Sequence, residues 1–512
     1  MIYRLHLADW RAIGHYLGFL ILLIAAAMAV PLIVGIALGE LAAAADFLLS
    51  IGTCLTVGGV LAMCRLEKGA LDWRQSLVIT GLCWVVLSVF SALPLYLSGS
   101  YLTYFDAFFD TVSAYTTTGF SLCVDVDHMA ACVALWRSIM HLIGGIGVVV
   151  IALALGVFGT GMAAAALYHA EARTGQVMPE IKQTSRFIII LASAIVLAGT
   201  LASFVTLLLS GFTPASALYN AFMVTASSFS TGGMSSHGLG IMYFHSWPLE
   251  VITIVLAMFG CINFVLYGEL WKGKTRGFLT DIEIKTIAVW VLMLVVLMML
   301  ALAGNAYFDT FAAELRRGIY TLLSGAFNLG FSTVYPGQVL YAMGSGALFV
   351  LVLSMLICGS MSSASGGIKA FRVGIVIRSV AQTVREAIAP ERARPRTFYN
   401  HQGRHLLSPE LVSSAMIIML LYIITCAVGA IVGIAHGYDA LPAIFDSVSA
   451  TSNTGLSMGV VSIDMPLALE VCYILQMWLG RLEFIAIFAM LVEFFAFLVP
   501  RKRTFLRKEG RG

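Results

Sequence analysis

The chain has 512 residues, 60% of them hydrophobic and only 11% charged, with a mean hydropathy of +0.94 and a formal net charge of +3. A soluble domain carries roughly 25% charged residues, so this composition excludes a soluble globular protein. It predicts an all-α polytopic membrane protein surrounded by lipid, with no nucleic-acid partner.

Apolar runs of about 20 residues, each long enough to cross the hydrocarbon core, recur from end to end. The first, Gly18 to Leu38, is too long for a signal peptide and lacks a small-residue cleavage site, so a retained helix is expected. Two helices, 16–38 and 47–64, form an N-terminal region spanning 1–74. Four units follow, each reading as a helix, a re-entrant segment and a second helix. Their helical parts cover 75–165, 187–270, 284–380 and 409–499, within segments bounded at 75–186, 187–283, 284–408 and 409–512. The expected total is ten membrane helices and four half-helices around a central ion pore.

The re-entrant segments nearly repeat one another. They read DTVSAYTTTGFS from Asp110, MVTASSFSTGGM from Met223, TLLSGAFNLGFS from Thr321 and DSVSATSNTGLS from Asp446. Aligned on Gly119, Gly232, Gly330 and Gly455, the motifs lie 113, 98 and 125 residues apart (232−119, 330−232, 455−330). Such spacing fits duplicated membrane units, not a solenoid. A dehydrated cation needs a cage of oxygens, which backbone carbonyls of an extended strand supply. Glycine permits the dihedrals and close approach this requires. Thr116, Thr117, Thr118, Ser230, Thr231, Ser452, Asn453 and Thr454 add hydroxyl and amide groups around it. In this alignment the third motif departs, with Asn328 in the place of Thr117 and Leu329 in the place of Thr118, Thr231 and Thr454.

Charge follows the same division. Lys and Arg fall at the N-terminus, at 65–74, 173–186, 272–285 and 369–404, and in the tail from Arg501 to Arg511. The alternate loops lack them, except for Arg316 and Arg317, and carry Glu40, Asp46, Asp106, Asp110, Asp125, Asp127, Asp309, Asp439, Asp446 and Asp464. The positive-inside rule then predicts cytoplasmic termini and outward-facing motifs, with an acidic outer vestibule that concentrates cations. The basic loop 381–408 needs no role beyond that of topological anchor. Binding of a partner or of anionic lipid is an additional hypothesis.

In the third unit the apolar run is interrupted by GSMSSASGG, from Gly359 to Gly367. So much Gly and Ser weakens a helix. Irregular backbone at membrane depth persists only against protein or a water-filled cavity. An intramembrane loop below the third motif is expected, the other reading being a flexible helix end. Arg481 and Glu483 lie near the middle of the last apolar segment, 467–499. Intramembrane charges usually mark a pathway; a buried Arg–Glu pair is the structural alternative. Arg137 is expected to brace the first half-helix through Asp106 or Asp110. Cys123 and Cys132 share an outer loop and are candidates for pairing. His141, His169, His237 and His245 have no partners at ligand spacing, no nucleotide fingerprint is present, and no enzyme activity is expected.

Together the four motifs, Trp136-Arg137 leading into Gly144–Gly147 (GGIG), the run Gly359–Lys369 and Gly480–Glu483 (GRLE) resemble the Trk/Ktr/HKT superfamily of potassium transporters. The bacterial Trk and Ktr membrane subunits are the most similar, and the two extra N-terminal helices fit the Trk arrangement. The resemblance implies K+ as the transported ion and no cofactor in this chain. It implies K+ coordination at Thr117, Thr118, Ser230, Thr231, Asn328, Leu329, Asn453 and Thr454, beside filter glycines Gly119, Gly232, Gly330 and Gly455. It further implies a gate formed by Gly359, Ser360, Ser362, Ser363, Ser365, Gly366, Gly367 and Arg481. The implied partners are a second copy of the chain and a cytosolic nucleotide-binding regulatory subunit (TrkA/KtrA-like). The implied location is the bacterial cytoplasmic (inner) membrane. A sodium-permeable or Na+/H+-coupled symporter on the same scaffold is the alternative.

Overall fold

The computed structural model describes residues 7–64, 73–147, 150–151, 153, 181–303, 310–335, 343–390 and 396–498. The basic tail from 499, Arg173, Asp309, and Arg392 and Arg394 of the basic loop lie outside the described residues.

The described residues are helical almost throughout, as the composition requires. Among the described residues, six helices are long and apolar enough to cross a membrane: Asp9–Leu38, Leu41–Ala62, Trp73–Leu97, Ile181–Leu209, Ile282–Leu302 and Pro409–Ala435. The first two pack against one another where Gly18 faces Gly58, and a side chain at Gly18 would meet the Ala62 amide nitrogen at 2.5 Å. This pair sits against the first unit, with Phe47 edge-on to Trp136 at 6.3 Å between ring centroids.

The other four spans are the leading helices of the four units. Each is followed by a half-helix: Tyr104–Tyr115, Pro214–Phe229, Phe311–Ala326 (with a π turn at Leu315–Ile319) and Ala440–Ser452. The half-helices start differently. Thr103 and Asp106 form a capping box, while Pro214 stands in the first turn of the second. Four trailing helices begin at Ala131, Trp247, Gly344 and Leu467. Each packs on the half-helix of the next unit, and the fourth packs on the first, so the units form a closed ring.

The sequence reading expects continuous trailing helices in the second and fourth units, and the structure corrects this. The second bends by 91° between Trp247–Cys261 and Phe264–Trp271. The fourth bends by 116° between Leu467–Arg481 and Ala486–Phe495. The third, Gly344–Leu356, gives way to strand β1 (Ile357–Cys358), the glycine–serine loop, parallel strand β2 (Ile368–Lys369) and helix Ala370–Ile388. Glu483 and Phe484 hold φ of 54° and 68° at the fourth break, conformations an L-residue helix cannot continue through. At the second break the glycine–serine loop takes up freed backbone groups. Ser360 N donates to Cys261 O at 2.8 Å, Ala364 N to Gly260 O at 2.9 Å, and Phe264 N to Ser362 O at 3.2 Å. A short antiparallel hairpin, β3 (Phe398–Asn400) and β4 (Arg404–Leu406), closes the basic face.

Candidate ion pathway and its intramembrane loop

All four half-helices end in the same backbone turn. Thr117, Thr231, Asn328 and Asn453 take φ of 51–58°, and the residue two places later is a glycine with positive φ. The next amides, of Thr118, Gly232, Leu329 and Thr454, reach back to Ser113, Ser227, Ser324 and Ser449 at 2.8–2.9 Å. This geometry resets the register of the second motif. Gly233, not Gly232, is the counterpart of Gly119, Gly330 and Gly455; Gly232 matches Thr118, Leu329 and Thr454, and Thr231 matches Thr117.

In that register the motifs interlock in chain order. A side chain on Gly119 would strike the carbonyl oxygen of Gly232. One on Gly233 would meet Leu329 O at 2.8 Å, and one on Gly330 would meet Thr454 O at 2.5 Å. One on Gly455 would strike Thr118 O. Four equivalent carbonyls therefore each sit against the glycine of an adjacent motif. Above them a cavity of about 240 Å³ is lined in part by Gly233, Gly330, Phe331, Gly455 and Leu456.

The side chains of the motifs tie the ring together. Thr118 Oγ1 lies 2.9 Å from Thr116 Oγ1 and accepts from Asn453 Nδ2 at 3.0 Å. Asn328 Nδ2 donates to Ser452 O at 2.6 Å, and Thr454 Oγ1 lies 2.7 Å from Ser452 Oγ. Ser230 Oγ turns back to Ala226 O at 2.6 Å. Leu329 lies in an apolar cluster with Ala217, Cys261 and Phe331. Its departure from threonine replaces a hydroxyl tie with packing and leaves the carbonyl in the ring. At Gly232 the corresponding side-chain space is taken by the buried His141 ring, a residue the sequence alone leaves without a role.

The trailing helices support this floor through their own glycines. Side chains at Gly144, Gly260 and Gly480 would strike the carbonyls of Tyr115, Phe229 and Thr451, the last residues of the first two half-helices and the last but one of the fourth. That is the structural content of the GGIG and GRLE runs. Arg137 pairs with Asp110 (Nε–Oδ2 2.9 Å) and donates to Ser121 Oγ at 2.7 Å, while Tyr101 donates to the same carboxylate at 2.7 Å. Asp446, the matching residue of the fourth motif, accepts from Ser457 Oγ at 2.6 Å and from Met458, Val460 and Val461 amides at 2.7–3.1 Å. Both carboxylates are buried and fasten the strand that leaves each motif, so they are not part of an open acidic vestibule. Asp125, Asp127, Asp439 and Asp464 are exposed on that face, and the His128 hydrogen bond holds the Asp125 carboxyl below its usual range. Arg316, an exception to the charge pattern, is clamped by Glu250 at 2.5 and 2.9 Å. Cys123 and Cys132 are both free thiols.

Beneath the ring, Gly359 to Gly367 form a non-helical loop whose Ser360, Ser362, Ser363, Ala364 and Ser365 are buried. A side chain at Gly366 would meet Ser452 O at 2.5 Å, so this backbone lies directly against the fourth motif. Thr117 Oγ1 donates to Ala364 O at 3.4 Å. Arg481 joins loop and ring: it donates to Ala364 O, to Gly144 O at 2.6 Å and to Thr117 Oγ1 at 3.4 Å. Lys369 donates to Ser365 O, and Glu283 Oε1 accepts from Met361 N at 2.7 Å. Arg481 does not pair with Glu483, which is bound instead by Arg372.

A pseudo-fourfold ring of helix–motif–helix units with a polar, glycine-lined axis defines a membrane protein built to pass a small solute. The family model for TrkH cation transport proteins matches residues 44–502, and the chain belongs to that family. It is 29% identical over 494 residues to an uncharacterised cation transporter of Methanocaldococcus jannaschii, covering 96% of this chain and 97% of that one. It is 28% identical over 502 residues to the Trk system potassium uptake protein TrkH of Escherichia coli K12, covering 95% and 98%. The crystal structure of the potassium transporter TrkH from Vibrio parahaemolyticus matches with a TM-score of 0.80 at 23% identity, covering 94% of this chain and 98% of that one. That likeness establishes the fold.

Proposed function

We propose that this chain takes potassium ions into the cell through the axis of the ring, driven by the membrane potential. A potential of about 100 mV supplies roughly 2.3 kcal/mol per monovalent charge. The observation that carries the reading is the four-membered set of equivalent carbonyls at Thr118, Gly232, Leu329 and Thr454, each against a motif glycine. Carbonyls so arranged replace the hydration shell of a dehydrated cation. Half-helix C-terminal ends directed at the same place add partial negative charge. The filter is Thr116–Gly119, Ser230–Gly233, Asn328–Gly330 and Asn453–Gly455. The loop Gly359–Gly367 with Arg481 is its gate. The acidic face is outward, the basic face and both termini are cytoplasmic, and the protein works in the cytoplasmic membrane as a homodimer with a cytosolic nucleotide-binding subunit.

The test is uptake. Expression in a host lacking its own potassium uptake systems should restore growth at low potassium, and purified protein in liposomes should carry an ohmic K+ current. Failure of both would overturn the proposal. Flux strictly dependent on sodium or protons would replace the pore by a coupled carrier.

A further inference from the structure

On the basic face, below the loop, three side chains from separate parts of the chain converge. Asp281 caps the third leading helix, with Oδ1 accepting from Glu283 N at 2.8 Å. Its Oδ2 lies 3.2 Å from His401 Nδ1. Glu283 gives Oε1 to the Met361 amide of the loop at 2.7 Å; its Oε2 is 3.3 Å from Asn263 Nδ2 and 3.9 Å from His401 Nδ1. One ligand atom from each of the three residues lies within 4.8 Å of the other two. The two carboxylate side chains are fully buried and the histidine is 14% exposed. His401, on the turn of the hairpin, is backed by the Phe371 ring at 4.9 Å.

A single imidazole N–H serves one carboxylate, so it cannot satisfy both. Two buried negative charges this close repel strongly in a low-dielectric setting. Of the nearby cations, Arg372 is paired with Glu483, and Arg378, which donates to the Phe398 carbonyl, acts on Asp281 only through space, without a direct ion pair. One divalent ion balances both carboxylates at once. Each carboxylate also has one oxygen anchored by a backbone amide and the other turned inward, the outer-shell support that orients metal ligands. One imidazole nitrogen with two carboxylate oxygens suits zinc and its d-block neighbours; calcium and magnesium take all-oxygen sets.

We propose that Asp281, Glu283 and His401 bind one divalent transition-metal ion of the zinc class, and that this ion fastens the hairpin to the intramembrane loop. Glu283 is the shared part, holding the ion with one oxygen and Met361 with the other. The effect on transport rests on the gate reading above; metal binding itself does not. Bound metal keeps the loop in its present place and so lowers potassium flux.

The full chain, purified in detergent and stripped with chelator, is titrated with Zn2+ alone by calorimetry, and with Co2+ as an optical probe. One saturable ion per chain is expected, with Co2+ absorption characteristic of nitrogen ligation and a higher Tm for the metal-bound protein. His401→Ala and Asp281→Asn should each weaken binding at least about tenfold. The Co2+ spectrum of the unaltered protein supplies a reading that needs no variant. Absence of saturable binding, or binding unchanged in both variants, overturns the site. In liposomes, Zn2+ should reduce K+ flux over the range that fills the site, and not in His401→Ala. Binding with flux indifferent to Zn2+ overturns the hold on the loop, whereas failure of the gate itself is read separately from Arg481→Ala without metal.

Discussion

No side chain fits where Gly119, Gly233, Gly330 and Gly455 stand, because each faces a carbonyl of an adjacent motif. Gly119→Ser and Gly233→Ser should therefore displace the Gly232 and Leu329 carbonyls and lower the K+/Na+ permeability ratio, tenfold for about each 1.4 kcal/mol of differential coordination lost. Gly232→Ser presses on the His141 ring instead. It should reduce folded protein more than selectivity, and His141→Ala should restore the yield. Ion-replacement currents and chromatographic yield distinguish the two. A serine at Gly233 that leaves selectivity intact would sink the revised register. The Arg137–Asp110 pair gives a stability prediction. Arg137→Met leaves a buried carboxylate without its cation, a loss of about 3–5 kcal/mol. Thermal unfolding in detergent should show a lower Tm, partly recovered when Asp110→Asn is added.

The glycine–serine loop is an element held by few side chains. Arg481 ties the loop's Ala364 carbonyl to Gly144 O of the first trailing helix and to Thr117 Oγ1 of the first motif, and charge-assisted hydrogen bonds contribute about 1.5–3 kcal/mol each. Arg481→Ala should raise basal K+ flux about tenfold or more while leaving the permeability ratio unchanged, since none of the four ring carbonyls is among its partners. Liposome flux without regulatory subunit measures the first and reversal potentials the second; unchanged basal flux would remove Arg481 from the gate. The loop itself was legible in the sequence, because Gly and Ser at that density cannot continue an apolar helix. Its partners were not. Glu283 and Met361 lie 78 residues apart, and nothing local to either announces the contact. The breaks at Cys261 and Arg481 were hidden for a related reason: apolar residues continue on both sides, and the freed carbonyls find distant partners, Cys261 O in the Ser360 amide of the loop and Gly480 O in the Tyr422 hydroxyl, 58 residues away. The off-by-one register of the second motif came from Gly232-Gly233, two glycines whose identities are equivalent on paper and whose φ values are not.

At the scale of the molecule, the fourfold duplication was readable, since four similar motifs recur at spacings of 98 to 125 residues. Which acids are open to water was not readable: Asp110 and Asp446 are buried, while Asp125 and Asp127 are exposed. The orientation we propose has a direct measurement. In a background with its accessible cysteines replaced, a cysteine at His128 should react with an impermeant thiol reagent in intact cells and one at Glu386 only after permeabilisation. The reverse labelling would invert the inward and outward faces. Ring closure bears on how such a chain is made. The first and last motifs meet through Asn453 and Thr118, 335 residues apart in sequence, so the polar faces of the earlier half-helices have no complete set of neighbours while synthesis is under way. A ribosome that stops before the fourth unit releases three inserted units with an open seam instead of a smaller closed ring. Ring closure therefore waits on synthesis of the fourth unit.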